Sequence, residues 1–152
     1  MDRRTVLALA GTALAVPRAL LAQPAQRVYR IAILDEAGED AQKEVWAAFR
    51  NRLRELGYVE GKNVAYEVRY ARGGSERLPA LAAELVALKP DLIACVGTPA
   101  TRAAIRATPS TPVVFLAAAD PVGNGLVVSL SRPGGNASGI SSVATEIAQK
   151  KP

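Results

Sequence analysis

Apolar and polar positions divide the chain into alternating strands and helices. Residues 28–34 form a mostly apolar run, which predicts a buried strand followed by a polar loop. Residues 45–56 carry apolar side chains at helical spacing, and their charged neighbours lie mostly off that stripe. Gly57 is predicted to end this helix, because a left-handed residue commonly follows the last helical turn.

The next part of the chain repeats this plan. Residues 63–70 alternate as a strand, and Ser75 is predicted to cap a helix over residues 78–88. Pro79 is compatible with that helix, because amides in a first turn lack acceptors within the helix anyway. Residues 91–96 are again short and apolar, and they predict the third strand.

A third helix is predicted over residues 98–107, with Thr98 as its cap and Pro99 at its first position. The fourth strand covers residues 113–119 and meets Asp120, which precedes a proline. A residue before proline is pushed out of the helical region toward extended geometry. We therefore expect Asp120 to be extended and to lie at the carboxyl end of this strand.

A short helix over residues 126–130 and a last strand over residues 138–141 complete the pattern. Strands and helices in strict alternation predict an α/β fold, a doubly wound parallel sheet with helices on both faces. The expected strand order is the flavodoxin-like 2-1-3-4-5. Ligands of such sheets bind at the carboxyl ends of the strands where the order reverses, here between the first and third strands.

Two loops at that edge carry candidate binding residues. The backbone amides from Gly97 to Ala100 and the Thr98 hydroxyl suit a carboxylate, because a helix N-terminus favours an anion. Asp120, one strand further along, suits an ammonium group, and the pair together favours a zwitterion such as an amino acid. Each feature also has an ordinary explanation: strand-to-helix turns generally expose amides, and an acid before proline commonly forms a turn or caps a helix.

Composition limits the chemistry. With 152 residues the chain has room for one domain, so a cleft between two lobes needs a second lobe. Without residues 1–22 the formal charge of +5 falls by 2 to a mild +3, and only 5% of residues are aromatic, which argues against nucleic acid as the main partner. No histidine occurs, which excludes Ser–His and Cys–His pairs and most zinc sites. We expect no catalytic residue, cofactor or metal.

The N-terminus is typical of an export signal. A basic start is followed by an apolar run over residues 6–16, which is too short to cross a bilayer. We expect a signal peptide over residues 1–22, cleaved between residues 22 and 25, by the general or the twin-arginine route, and a periplasmic protein. The alternative is an amphipathic or buried first helix.

Six stretches of the chain form an ordered series of motifs. They are ELGYVEGKNV (55–64), RLPALAAELV (77–86), KPDLI (89–93), GTPAT (97–101), DPV (120–122) and SRPGGN (131–136). Together they resemble the ABC-transporter substrate-binding proteins related to tryptophan- and tyrosine-binding receptors. The resemblance implies one lobe of a type I periplasmic binding protein, in which two lobes close on a small solute and deliver it to a permease in the inner membrane.

The resemblance also implies the site residues and the role of the chain. Residues 27–146 are expected to form the N-terminal lobe and residues 147–152 a truncated tail of an exported, non-enzymatic solute-binding component of an ABC importer. Two alternatives stay open: a flavodoxin-like enzyme or signalling domain with the same sheet, and an inert gene fragment. The implied ligand contacts are Asp35 and Glu36 after the first strand, Thr98, Pro99 and Ala100 after the third, and Asp120 after the fourth.

Overall fold

The structure is a computed structural model that describes residues 27–142. The predicted signal peptide with its cleavage site, and the predicted tail at residues 147–152, lie outside this range. A 3₁₀ turn at Ser75–Arg77 precedes the second helix. The elements are β1 Tyr29–Asp35, α1 Lys43–Glu55, β2 Val64–Tyr70, α2 Leu78–Ala87, β3 Leu92–Val96, α3 Thr98–Ala107, β4 Val113–Ala119 and β5 Ala137–Ser142.

The five strands form one parallel sheet in the order β2-β1-β3-β4-β5. This confirms the predicted fold class and strand order. Since all strands run in the same direction, their carboxyl ends meet along one side of the sheet. We call that side the carboxyl edge; it is marked by Asp35, Tyr70, Val96, Ala119 and Ser142.

Helices cover both faces of the sheet, as predicted. Ile31 and Ile33 of β1 pack on the face of α1, where Trp46 is the buried anchor. Ala32 and Leu34 of the same strand belong to the larger cluster under α2 and α3. The alternation of β1 side chains between two apolar layers explains why this strand reads as a continuous apolar run.

The end of α1 also agrees with the prediction. Gly57 has a φ of 91°, in the left-handed region that a residue without Cβ adopts at no steric cost. The Tyr58 amide then donates back to the Leu53 carbonyl at 2.9 Å and satisfies an acceptor at the helix end.

The predicted capping role of Ser75 is wrong. The 3₁₀ turn at Ser75–Arg77 separates Ser75 from α2, whose N-cap position is held by Arg77 without a capping side chain. The Ser75 hydroxyl instead donates to the Glu36 carboxylate. This bond connects the loops that come after β1 and β2.

The predicted helix over residues 126–130 is also wrong. The amides of Leu126 and Val127 both donate to the Pro121 carbonyl, at 2.8 and 3.2 Å, and the Val128 amide donates to the Pro133 carbonyl at 3.0 Å. These bonds close irregular turns, which bury Leu126 and Val127 without a helix. Among residues 27–142 no helix has the length and apolarity that a bilayer crossing needs.

Candidate functional site

Thr98 lies at the start of α3 on the carboxyl edge. Gly97, with φ 83° and ψ 165°, holds the N-cap position, and Thr98 is the first helical residue. The prediction that Thr98 caps the helix is therefore wrong by one position, and Pro99 is correspondingly the second residue. Pro99 is exposed, whereas Ala100 is buried against the core. Among residues 27–142 no side chain accepts from the first amides of α3, and the first turn of this helix has no acidic residue.

The Thr98 hydroxyl contacts the end of β4. It donates to the carbonyl of Ala119 and accepts from the amide of the same residue, at 3.2 Å in each case. Ala119 is the last residue of β4 and directly precedes Asp120. The structure thus brings Thr98 and Asp120 together on adjacent strand ends.

Asp120 is not extended, contrary to the prediction. Its φ of 34° is left-handed, which avoids the right-handed helical region that a following proline disfavours and which Asp tolerates better than most residues. Its Oδ1 accepts from the Gly123 amide and its carbonyl accepts from the Asn124 amide, both at 2.9 Å. Asp120 therefore forms a turn, and its side chain stays exposed at the carboxyl edge.

Asn124 of this turn and Arg102 of α3 are two contributors to the site that were not predicted from the sequence. The Asn124 side-chain amide donates to the carbonyls of Ala119 and Asp120, at 2.9 and 3.1 Å. Arg102 of α3 reaches the Asn124 carbonyl and Oδ1, at 3.4 and 3.3 Å. The Asn-Gly pair at 124–125 was an available turn signal, whereas the contact from Arg102 depends on tertiary packing.

Glycine at position 123 leaves room for the Asp120 carboxylate. A Cβ added there would lie 2.0 Å from Asp120 Oδ2. The turn is further shaped by an irregularity in β4 between Phe115 and Ala118, where Ala117 has a φ of 55°. Bulges of this kind bend a strand end and redirect the residues after it, and alanine gives no sequence signal for one.

Asp35 and Glu36 occupy the carboxyl edge at β1. Asp35 is only 1% exposed, and its Oδ2 accepts from the Trp46 indole at 2.6 Å while Oδ1 accepts from the Ala37 amide at 2.9 Å. Glu36 is half-buried; its carbonyl accepts from the Gly73 amide at 2.8 Å, and its carboxylate accepts from Ser75. The Asp35 carboxylate holds the loop in place, and Glu36 ties two loops of the edge together.

Tyr70 adds a phenol to this edge that the sequence reasoning did not single out. Partial burial raises the pKa of Tyr70, the Glu39 carboxylate raises it further, and the Arg50 guanidinium opposes them. The Tyr70 hydroxyl is therefore protonated at neutral pH. Within residues 27–142 no three His, Cys, Asp or Glu side chains meet in a group that fits a metal ion.

The family profile described as "ABC transporter substrate binding protein" matches residues 30–151. The chain belongs to the ABC transporter substrate-binding protein family. The parallel sheet in the order β2-β1-β3-β4-β5 is consistent with one lobe of such a protein.

Two proteins are similar to this chain in sequence or in fold. A tyrosine-binding protein of Clostridioides difficile is 39% identical over 93 residues, which cover 61% of this chain and 27% of the relative. A ligand-free, open substrate-binding protein with adhesive properties from Clostridium difficile has a TM-score of 0.71 at 32% identity, over 75% of this chain and 39% of that one.

An ABC domain of Streptococcus pneumoniae in complex with L-Trp has a TM-score of 0.70 at 29% identity, over 75% of this chain and 38% of that one. The chain thus spans well under half the length of each of these substrate-binding proteins. The matched part corresponds to one lobe of the fold.

Proposed function

We propose that this chain contributes one half of a cleft that binds a small zwitterionic solute, an amino acid, for uptake by an ABC importer. The observation that carries the proposal is the contact of Thr98 with Ala119, because it fixes the start of α3 beside Asp120 on one edge of the sheet. The backbone amides at the start of α3, which can bind an anion, are thereby held beside the Asp120 carboxylate, which can bind a cation.

The start of α3 is the proposed carboxylate subsite. Its first amides have no acceptor within the helix, and no side chain of the described part of the chain caps them. A solute carboxylate would accept from the amides of Thr98 and Ala100, with help from the helix dipole. Pro99 has no amide hydrogen to offer, so its contribution is the fixed backbone at the second helical position.

Asp120 is the proposed ammonium subsite. Its Oδ1 is engaged with the Gly123 amide, but a carboxylate has further lone pairs, and the side chain is exposed. Glu36 is a second acceptor on the same edge, and the buried carboxylate of Asp35 serves to position the loop that carries it. The Asp120 carboxylate would thus both form the turn and bind the solute.

The proposed solute class is the aromatic amino acids. The relatives support this, because one is named a tyrosine-binding protein and another was solved in complex with L-Trp. The proposed partner is the importer's permease, because the matching family profile describes binding proteins of ABC transporters. The proposed location is outside the cytoplasm. A single open edge buries less of a solute than a closed cleft does, so we expect weak binding by this chain.

Amide chemical shifts in a titration test this proposal directly. We expect L-tryptophan and L-tyrosine to shift the amide signals of Thr98, Ala100 and Asp120. Tryptamine lacks the carboxylate and should not move the two α3 signals, whereas indole-3-propionate lacks the ammonium group and should move them without depending on Asp120. Shifts confined to α1, or none at millimolar solute, would contradict the proposal.

Asp120→Asn is the matched substitution, because asparagine keeps the Oδ1 acceptor for the Gly123 amide and removes only the charge. We expect it to weaken binding of L-tryptophan by roughly 10-fold or more, since a hydrogen bond to a charged group contributes about 1.5–3 kcal/mol. Glu55→Gln removes the same charge at the far end of α1 and should leave binding unchanged.

A further inference from the structure

The turn that carries Asp120 is attached to α3 at two points. At the first point the Thr98 hydroxyl bonds to the amide and the carbonyl of Ala119. At the second point Arg102 Nη2 donates to the carbonyl and to Oδ1 of Asn124, at 3.4 and 3.3 Å. One turn of helix separates Thr98 from Arg102, so both lie on the same side of α3. The helix therefore holds both ends of the turn.

Asn124 closes the turn from within. Its backbone amide donates to the Asp120 carbonyl at 2.9 Å, and its side-chain amide donates to the carbonyls of Ala119 and Asp120 at 2.9 and 3.1 Å. Oδ1 of the same side chain accepts from Arg102. A side-chain amide that donates through its nitrogen and accepts through its oxygen at the same time has only one orientation. Arg102 thus fixes the direction in which the Asn124 amide donates.

The backbone of Asp120 requires support of this kind. Its φ of 34° is uncommon for a residue with a Cβ, and such a conformation persists only where surrounding contacts hold it. The bond from the Gly123 amide uses the Asp120 carboxylate, which is the group proposed to bind the solute. The bonds from Asn124 hold the Asp120 carbonyl instead, and they leave the carboxylate oxygens available.

The charge of Arg102 has the wrong sign for direct binding of an ammonium group. A guanidinium repels an ammonium, so Coulomb energy alone favours a neutral residue beside Asp120. Among residues 27–142 Arg102 forms no ion pair with Asp120, and its hydrogen bonds go to the two oxygens of Asn124. These contacts indicate that Arg102 acts on the turn.

We propose that Arg102 and Asn124 are positioning residues for the ammonium subsite, a role that rests on the proposed function. The pair keeps the backbone of Asp120 left-handed, so that its carboxylate stays exposed beside the start of α3. Neither side chain contacts the solute. Binding of the solute's amino group depends on this pair, whereas binding of its carboxylate by the α3 amides does not.

Two ligands that differ only in the amino group test this role. L-tryptophan carries both charged groups, and indole-3-propionate carries the carboxylate alone. Titrations of the full chain, followed at the Ala100 amide signal, give both dissociation constants. We expect Asn124→Ala to weaken L-tryptophan binding by roughly 3- to 10-fold, the effect of about one lost hydrogen bond, and to leave indole-3-propionate within about 2-fold of wild type. Equal weakening of both ligands would indicate a general loss of structure and would overturn the positioning role.

Arg102→Met is the second variant, because it removes the guanidinium and keeps an unbranched stem. Arg106→Met is its matched control, since Arg106 is exposed one turn further along α3 and carries the same charge. Relative to this control we expect Arg102→Met to weaken binding of L-tryptophan alone and to move the Gly123 amide signal of the ligand-free chain. Loss of a positive charge by itself strengthens binding of an ammonium group, so weaker binding is the opposite of a charge effect.

The results separate this proposal from the proposed function. If the wild-type chain does not bind L-tryptophan more tightly than indole-3-propionate, the ammonium subsite fails and the positioning role fails with it. If wild type has this preference and both variants keep it, only the positioning role is overturned. An Arg102→Met variant that loses indole-3-propionate would show that the guanidinium binds the solute carboxylate directly, which also contradicts the positioning role.

Discussion

Thr98 and Ala119 are joined twice, because one hydroxyl donates to the Ala119 carbonyl and accepts from its amide. This contact couples the first turn of α3 to the last residue of β4. We expect Thr98→Val, which keeps the shape and removes the hydroxyl, to lower the free energy of unfolding by about 1–2 kcal/mol. Urea denaturation measures this loss.

Thr98→Ser is the control for that measurement, since serine keeps the hydroxyl. It should restore most of the stability and also the proposed response of the α3 amides to L-tryptophan. If the valine variant is as stable as wild type, the two bonds contribute nothing net and Thr98 does not hold this edge together.

The buried pair of Asp35 and Trp46 provides a second prediction. Trp46→Phe keeps the apolar ring but leaves Asp35 Oδ2 without its indole donor, and a buried acceptor left unpaired costs about 1–3 kcal/mol, more when it is charged. We expect this loss in thermal or urea unfolding.

A double-mutant cycle with Asp35→Asn isolates the pair from the rest of the Trp46 contacts. A coupling free energy near zero between the two substitutions would show that the indole contributes only packing. Phe49→Leu, on the same helix and without a hydrogen bond, is the control for lost aromatic area.

Asp91 predicts how stability depends on pH. The Arg30 amide, which donates to Asp91 Oδ2 at 2.8 Å, is the main cause that lowers the pKa of this carboxyl below its ordinary value near 3.8, with help from Arg27. A carboxyl whose pKa is lower in the folded state stabilises the fold above its unfolded pKa. That contribution is lost as the pH falls through the folded value.

We therefore expect Asp91→Asn to lose about 1 kcal/mol or less at pH 7, and the difference from wild type to shrink as the pH falls below about 4. Urea midpoints between pH 2.5 and 7 measure this. Arg27→Gln should have the smaller effect, because the Arg30 amide remains. A difference that grows toward low pH would contradict the assignment.

Gly139 provides a fourth prediction, at the ladder between β4 and β5. A Cβ added there would lie 2.0 Å from the Phe115 carbonyl oxygen and 2.7 Å from its ring, and neither the strand backbone nor the packed ring can yield freely. We expect Gly139→Ala to destabilise the fold by about 1–3 kcal/mol or more.

Gly135→Ala is its matched control, since a Cβ there meets no atom within 4 Å. That variant should unfold at the same urea concentration as wild type. Equal stability of the two alanine variants would show that β5 does not pack tightly against β4 at this position.

The sheet could be predicted because its signals are local. Short apolar runs predict the strands, and apolar residues at helical spacing predict the helices between them, the first of which ends at Gly57. The parallel strand order follows from the alternation of strands and helices. The predicted helix over residues 126–130 is wrong because the apolar pattern of this segment is the same whether a helix buries it or turns closed on Pro121 do. Their environment, not their sequence, decides between the two.

The site was predictable only in part. The neighbourhood of Thr98 and Asp120 follows from the strand order, but the left-handed backbone of Asp120 depends on its bonds to Gly123 and Asn124. The burial of Asp35 depends on Trp46, eleven residues later in the chain, and no local pattern indicates it. Side-chain direction is set by tertiary packing, which a single sequence does not report.

The connection between β4 and β5 has a consequence for how this fold opens. Residues 120–136 join two parallel strands through turns alone, where a helix is the usual link. The outer strand β5 is thus joined to β4 by a segment without a helix, while β1 and β3 are enclosed between two apolar layers. In solution the amide hydrogens of Ala137–Ser142 should exchange with deuterium well before those of the central strands, so that unfolding proceeds from this side inward.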